Sequence, residues 1–247
     1  TIVGTGGVGK TRLALEVAHT IQRKSGGDGL SVHFVDLARI EQTEMLSLEA
    51  GRQLGVSAEL SRSAESLAKS LVSEKMFIVM DNCEHVLSAA ADVVSQILNF
   101  CPGIRMIATS RIPLELEAEY RFALSPLEVP PTPHNSARIE KSHHHLLEYS
   151  SVQLFSERMS EANPAYRITT EDAFAIGAIC HALDGLPLAI ELAARRVSIM
   201  TPSQIAERLG QRFRLLMSTV HGLHKRQQTL FSLKPCGYNQ PGLHQRQ

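Results

Sequence analysis

No stretch of this 247-residue sequence is apolar for long enough to cross a bilayer, and no export signal opens it, so a cytoplasmic protein is expected. Cysteine is sparse. Cys83, Cys101, Cys180 and Cys236 stand far apart with no C-x-x-C pair, and three of them sit beside apolar helical or strand patterns and read as reduced core thiols. Net charge is missing too, with 25 Lys and Arg against 25 Asp and Glu. The balance is uneven, because no acid follows Glu207 whereas seven Lys or Arg do. The body is therefore net acidic, which argues against direct nucleic-acid binding by this segment. No internal repeat is evident.

What is present is Gly4-Thr5-Gly6-Gly7-Val8-Gly9-Lys10-Thr11, a G-x-x-x-x-G-K-T phosphate loop. The apolar Thr1-Ile2-Val3 precedes it, and a helical pattern with Leu13, Val17 and Ile21 follows to about Lys24. Strand, glycine-rich loop and helix is the context in which such a loop holds a nucleotide. The glycines let backbone N–H groups converge on an anion, and the helix dipole adds positive potential. Lys10 is expected at the β- and γ-phosphates, and the Thr11 hydroxyl at Mg²⁺.

Residues 30–37 alternate as a second strand. Residues 44–54 and 64–73 read as helices, the latter with Leu67, Leu71 and Val72 on one face. Met76-Phe77-Ile78-Val79-Met80 is wholly apolar, as a strand buried on both faces should be, and it ends in Asp81. A carboxylate at the end of a parallel core strand is the expected second Mg²⁺ partner. Asp81 could otherwise cap a helix read from Glu84 to Phe100. Asn82 can orient a water but takes no proton. Glu84 is a candidate to activate water, or a plain first-turn acid. His85 reads as a surface or packing residue.

Residues 104–108 form a fourth strand that leads to Arg111. Arg111 either reaches a γ-phosphate or is a solvated loop residue. Tyr120–Leu124 reads as a fifth strand. Four prolines between Pro126 and His134 mark a boundary, and His143-His144-His145 reads as exposed linker, since consecutive residues share no helix face. Helices follow from Ser151, from Thr169 behind a cap, from Pro187 after Gly185, and from Pro202 behind a capping box. The expected units are a nucleotide-binding domain over 1–128, a polar linker over 129–147, a helical domain over 148–218, and a disordered or degenerate tail over 219–247.

The chain resembles the signal-transduction ATPases with numerous domains, the STAND class that includes NB-ARC and AP-ATPase modules. The nearest look is the bacterial branch that sits inside large transcriptional regulators. The resemblance is carried by the phosphate loop with Arg12-Leu13-Ala14, by Phe34-Val35-Asp36-Leu37-Ala38, by Val79 through Val86, by Ile107 through Arg111, and by Gly185-Leu186-Pro187-Leu188-Ala189-Ile190-Glu191. It covers about residues 1–218. It implies an α/β three-layer P-loop NTPase sandwich with a parallel sheet of order 5-1-4-3-2 and a small all-helical lid. Arg111 would be the sensor arginine, Leu186 and Pro187 would lie near the base and ribose, and Arg12 would flank the loop.

The cofactors implied are ATP or ADP with Mg²⁺. The implied function is a slow ATPase acting as a nucleotide-dependent switch. The implied partners are effector and sensor domains of a longer protein, of which this chain looks like a fragment, and a nucleotide-dependent homo-oligomer. Two other functions compete. One is a nucleotide-binding module without significant turnover, favoured by the lack of a firm general base. The other is a small-molecule kinase, for which no acceptor-pocket residues stand out.

Overall fold

The computed structural model describes residues 1–25, 29–40, 42–131 and 143–220, with side chains of 143, 144 and 212–220 left aside. The reading of the tail over 219–247 lies almost entirely outside these residues, as does Cys236.

The strand with no polar residue before its last position becomes an interior strand of the sheet. Met76–Asp81 (β3) is buried at every position and pairs in parallel with Ser31–Asp36 (β2) on one side and Ile104–Ser110 (β4) on the other. Its side chains alternate between two cores, as a period of two requires. Phe77 and Val79 face Lys10–Lys24 (α1) with Ile2, Ala14 and Ala18. Met76, Ile78 and Met80 face the opposite layer, built from Leu46–Gln53 (α2), Ala64–Ser70 (α3) and Leu87–Phe100 (α4). Fully burying one such aliphatic side chain contributes roughly 1.5–3 kcal/mol, so β3 alone anchors both helical layers.

Ile2–Val3 (β1) lies between β4 and Phe122–Ala123 (β5), and all pairings are parallel. The sheet order is β2-β3-β4-β1-β5, which is the expected 5-1-4-3-2 read from the other edge. The chain therefore leaves β1 for the far edge and returns. That order puts the loop after β1 beside the carboxyl ends of β3 and β4, the usual crevice for a ligand in an open α/β sheet.

The second half is helical: His143–Leu146 (α5), Ser150–Ala162 (α6), Thr170–Ala182 (α7), Pro187–Ala194 (α8) and Pro202–Val220 (α9). Val152, Phe155 and Met159 recur at helical spacing on α6 and bury against Ile176, Ile179 and Cys180 of α7 and Ile190 of α8. Thr169 and Asp172 close a capping box at α7, and Thr201 and Gln204 exchange backbone-to-side-chain bonds at α9. The whole is an α/β three-layer sandwich with a helical lid.

Four local expectations differ from what is found. Val72 is exposed, because α3 ends at Ser70 and the turn carries Val72 off the face of Leu67 and Leu71. The fifth strand shrinks to Phe122–Ala123, which pairs with Ile2 and Val3. Residues 143–146, read as linker, form a short helix, and His145 Nδ1 meets Glu148 Oε2 at 2.8 Å. Val129, read as the start of the polar linker, packs on the helical core together with Leu127 of the preceding unit.

Cys83, Cys101 and Cys180 are buried free thiols. Burial pushes Cys83 and Cys180 up to about 12, with Asp81 and Glu84 adding to the effect at Cys83. A shift from 9.0 to about 12 makes the thiolate roughly a thousandfold rarer at neutral pH. In the native chain these two thiols are expected to resist maleimide until denaturant is added. Fast labelling of either, located by peptide mass, would contradict the packing described.

Candidate functional site

The loop 4–9 leaves β1 and is pinned at its base, where Gly4 N donates to Ser110 O at 3.3 Å at the end of β4. α1 then starts at Lys10 with Gly9 as a left-handed cap and no acid in its first turn. The first N–H groups of a helix have no partner within the helix, and α1 carries no acid of its own in that turn, so its positive end is open to an external anion beside the Asp81 carboxylate that Thr11 contacts. Lys10 is 9% exposed, and its Nζ donates to Gly4 O at 2.9 Å and Thr5 O at 3.1 Å across the loop. Burial lowers its pKa, the nearby Glu84 opposes that, and Arg111 adds to the lowering. An ammonium held only by two carbonyls in a half-dry setting is ready to exchange them for a stronger anion.

Thr11 Oγ1 lies 2.7 and 3.0 Å from the two carboxylate oxygens of Asp81. Asp81 is almost fully buried, and it is further held by a short hydrogen bond from Thr109 Oγ1 and by Asn82 Nδ2 at 2.9 Å. Hydroxyl and carboxylate together are the hard oxygen set that suits a cation such as Mg²⁺, which keeps several of its waters. Thr109 and Asp36 lie in two of the blocks that carry the resemblance, but the sequence assigned neither a role. Asp36 stands opposite Asp81 in the β2–β3 register, and Asn82 Nδ2 reaches its Oδ1 at 3.4 Å. The usable signal was that Asp36 ends, and Thr109 nearly ends, a strand flanking β3. Among the described residues, no group of three or more His, Cys, Asp or Glu is placed to hold a metal ion.

The helix read from Glu84 begins later. Asn82 takes a left-handed conformation at φ 63°, Cys83–His85 forms a single 3-10 turn, and Val86 breaks the path before α4. Asp81 and Glu84 are thus not first-turn or capping acids of α4. The turn brings Glu84 back to the site, where Oε1 accepts from Arg111 Nε at 3.0 Å. Glu84 Oε2 is buried with no hydrogen-bond partner among the described residues. The Arg111 guanidinium reaches over the loop, with Nη2 3.8 Å from where a β-carbon at Gly6 would stand.

The helical lid touches the loop directly. Leu188 N, in the first turn of α8, donates to Gly7 O at 3.2 Å. Gly7 has φ +77°, and a β-carbon there would stand 3.1 Å from Leu188 Cβ, so both conformation and space call for glycine. Leu186 and Pro187 open α8 as its cap and first residue. Arg12 Nη1 meets Glu191 Oε1 at 3.2 Å, and Arg158 Nε meets the same oxygen at 3.0 Å, tying α1, α6 and α8 together. In the sequence Glu191 stood only as the end of the Gly185–Glu191 block, and Arg158 was not singled out. The structure thus brings Gly4 through Thr11, Asp81, Glu84 and Arg111 together, sets the start of α8 against Gly7, and turns Arg12 to Glu191 of the lid.

Replacing Asp81 by Asn is expected to weaken Mg²⁺-dependent nucleotide binding by about 10- to 100-fold while changing metal-free binding little, because the amide is a poorer ligand for a hard cation. Affinities measured with Mg²⁺ and with chelator make the comparison. Equal losses in both would mean that Asp81 only braces Thr11 and Thr109.

No protein-family model matches the chain. A Mycobacterium tuberculosis protein named as an HTH-type transcriptional regulator is 38% identical over 231 residues, 93% of this chain and 24% of that protein. An uncharacterized protein of Mycobacterium bovis is 29% identical over 231 residues, 93% of this chain and 53% of its own length. The chain therefore spans about a quarter of one relative and about half of the other. Among solved structures, the Aeropyrum pernix ORC2 protein in its ADPNP–ADP complexes superposes with a TM-score of 0.53 at 14% identity, over 84% of this chain and 59% of that one. At that identity the likeness shows the fold alone. The fold is that of P-loop NTPases, and the chain is related to a stretch of a larger protein named as a transcriptional regulator. Among the described residues, no helix is long and apolar enough to cross a membrane.

Proposed function

We propose that the chain is a Mg-ADP- and Mg-ATP-binding module of the STAND type, in which the nucleotide is a structural and regulatory ligand with little turnover. The observation that carries this reading is the buried Lys10, spanning a glycine-rich loop at a helix start that has no first-turn acid, beside the Thr11–Asp81 pair. The bound nucleotide would supply phosphate charge, and Mg²⁺ would offset part of it. Gly4 through Thr11 would hold the phosphates, and Thr11 and Asp81 the metal. Leu186 and Pro187 would offer an ordered apolar surface to the base.

The low-turnover side is favoured by Glu84. One of its oxygens is engaged by Arg111 and the other is sealed from solvent, so this arrangement presents no open carboxylate to an attacking water. The solved ORC2 protein of the same fold was obtained in ADPNP–ADP complexes, which suits a ligand-holding role.

A second reading, a slow ATPase that switches domain arrangement, has one observation in its favour. The lid meets the phosphate loop through Leu188–Gly7 and Glu191–Arg12, so loop occupancy and lid position are mechanically linked. In both readings residues 1–128 and 148–218 act as the two units, within a longer protein that supplies effector and sensor domains, and nucleotide-dependent self-association is a further expectation.

Titration calorimetry with Mg-ADP and Mg-ATP, run beside a phosphate-release assay, tests the proposal. Expected are one site per chain and turnover at or below the order of 10⁻³ s⁻¹, the intrinsic rate of a switch NTPase. Absence of binding overturns the proposal. Turnover in the range of about 1–100 s⁻¹, typical of kinases, makes the chain an enzyme instead.

A further inference from the structure

Arg111 and Glu84 form an ion pair inside the proposed nucleotide crevice, and the two partners differ in setting. The Arg111 side chain is 62% exposed, whereas that of Glu84 is only 11% exposed. Glu84 Oε1 takes one bond from Arg111 Nε at 3.0 Å, and Oε2 has no hydrogen-bond partner among the described residues. A largely buried carboxylate with one unsatisfied oxygen leans on the cation that hydrogen-bonds it, because desolvation has removed the water that would otherwise stabilise it. That cation is also the one whose terminal nitrogen stands over the loop at Gly6. A guanidinium has five N–H donors but one positive charge. Any anion arriving over Gly6 must share that charge with Glu84.

We infer that Glu84 sets the preference between nucleoside triphosphate and diphosphate by competing with the terminal phosphate for Arg111. The inference rests on the nucleotide-binding reading above. Glu84 thereby biases the crevice toward the diphosphate, since the shorter nucleotide asks less of Arg111. The backbone explains how a residue three positions after a strand end comes to lie there. The left-handed Asn82 and the 3-10 turn of Cys83–His85 fold Glu84 back to the carboxyl ends of β3 and β4. Lys10 lies close enough to act on Glu84 through space, but its Nζ hydrogen bonds go to Gly4 O and Thr5 O, so Arg111 is the cation that Glu84 holds by a hydrogen bond.

The test measures affinities for Mg-ADPNP, a non-hydrolysable triphosphate, and for Mg-ADP by calorimetry. The variants are Glu84→Gln, Glu84→Asp, Arg111→Ala and the double variant that joins Glu84→Gln to Arg111→Ala. Thermal melts verify that each is folded. Glu84→Gln is expected to raise the triphosphate-to-diphosphate affinity ratio by roughly two- to fivefold, the scale of a partly exposed ion pair. Glu84→Asp, which withdraws the carboxylate by one methylene, is expected to move the ratio in the same direction. Arg111→Ala should lower the ratio, and adding Glu84→Gln to it should change nothing further.

An unchanged or lowered ratio in both Glu84 variants overturns the inference. So does an equal rise with Arg111 absent, because Glu84 would then repel phosphate without acting through Arg111. If Lys10→Ala leaves both affinities intact, or the native chain binds neither nucleotide, the underlying site reading fails and the inference falls with it. Loss of binding in Lys10→Ala with an unmoved ratio in the Glu84 variants defeats this inference alone.

Discussion

Lys10→Ala is expected to lose nucleotide affinity by roughly 2–5 kcal/mol, from about thirtyfold to a few thousandfold, while the nucleotide-free protein stays folded. The two halves of this expectation have one cause. Lys10 is buried, and burial lowers its pKa, so its ammonium sits where charge is poorly solvated. Its hydrogen bonds are to Gly4 O and Thr5 O, carbonyls of a surface loop that water can satisfy once the side chain is gone, and the Glu84 and Asp81 carboxylates act on it only through space. The net worth of such bonds is about 1 kcal/mol, so the change in stability should stay within that range. A phosphate would meet the same ammonium with full opposite charge in a site that excludes much of the water, and there the loss is large. Calorimetric titration with Mg-ADP and a thermal melt of the same sample give both numbers. A folded variant that binds as well as the native chain would remove Lys10 from the site.

Gly185→Ala is expected to be the most damaging small substitution away from the loop, at about 2–4 kcal/mol of stability. Gly185 has φ +67°, and an added β-carbon would stand 2.1 Å from Leu127 O. That carbonyl cannot simply retreat, because Leu127 N is itself bonded to Gly185 O at 3.0 Å. Leu127 and Val129 pack on the helical core, so any shift opens the joint between the segment leaving β5 and the lid. Left-handed strain adds to the clash, since positive φ is costly for a residue with a β-carbon. Chemical denaturation should show a lower midpoint. A variant as stable as the native chain would mean that the 127–130 segment is free to move and does not brace the lid.

The contrast between these two glycine-rich places shows how far the chain could be read without its fold. The loop from Gly4 to Thr11 was legible because its chemistry is local: strand, glycines, lysine and helix start are consecutive, and their spacing carries the geometry. The same holds for β3, where five apolar residues before Asp81 announce burial on both faces, and that burial is what is found. Gly185 was legible as a helix stop before Pro187, but its opposition to Leu127 depends on residues 58 positions apart in the chain and leaves no local mark.

Glu84 was read as a choice between a first-turn acid and a water-activating group. The left-handed step at Asn82 removes the first alternative, and the pairing with Arg111 points away from the second. Thr109 and Asp36 were given no role because a hydroxyl or acid near a strand end is ordinary until its neighbour across the sheet is known. Glu191 became a link between α1, α6 and α8 only when Arg12 and Arg158 converged on it. Patterning by period and consecutive motif is written in covalent order, so the sheet, the helices and the phosphate loop could be read directly. Partnership between charges that are far apart in sequence is settled by packing, and the Glu84–Arg111 and Arg12–Glu191 pairs had to await the fold.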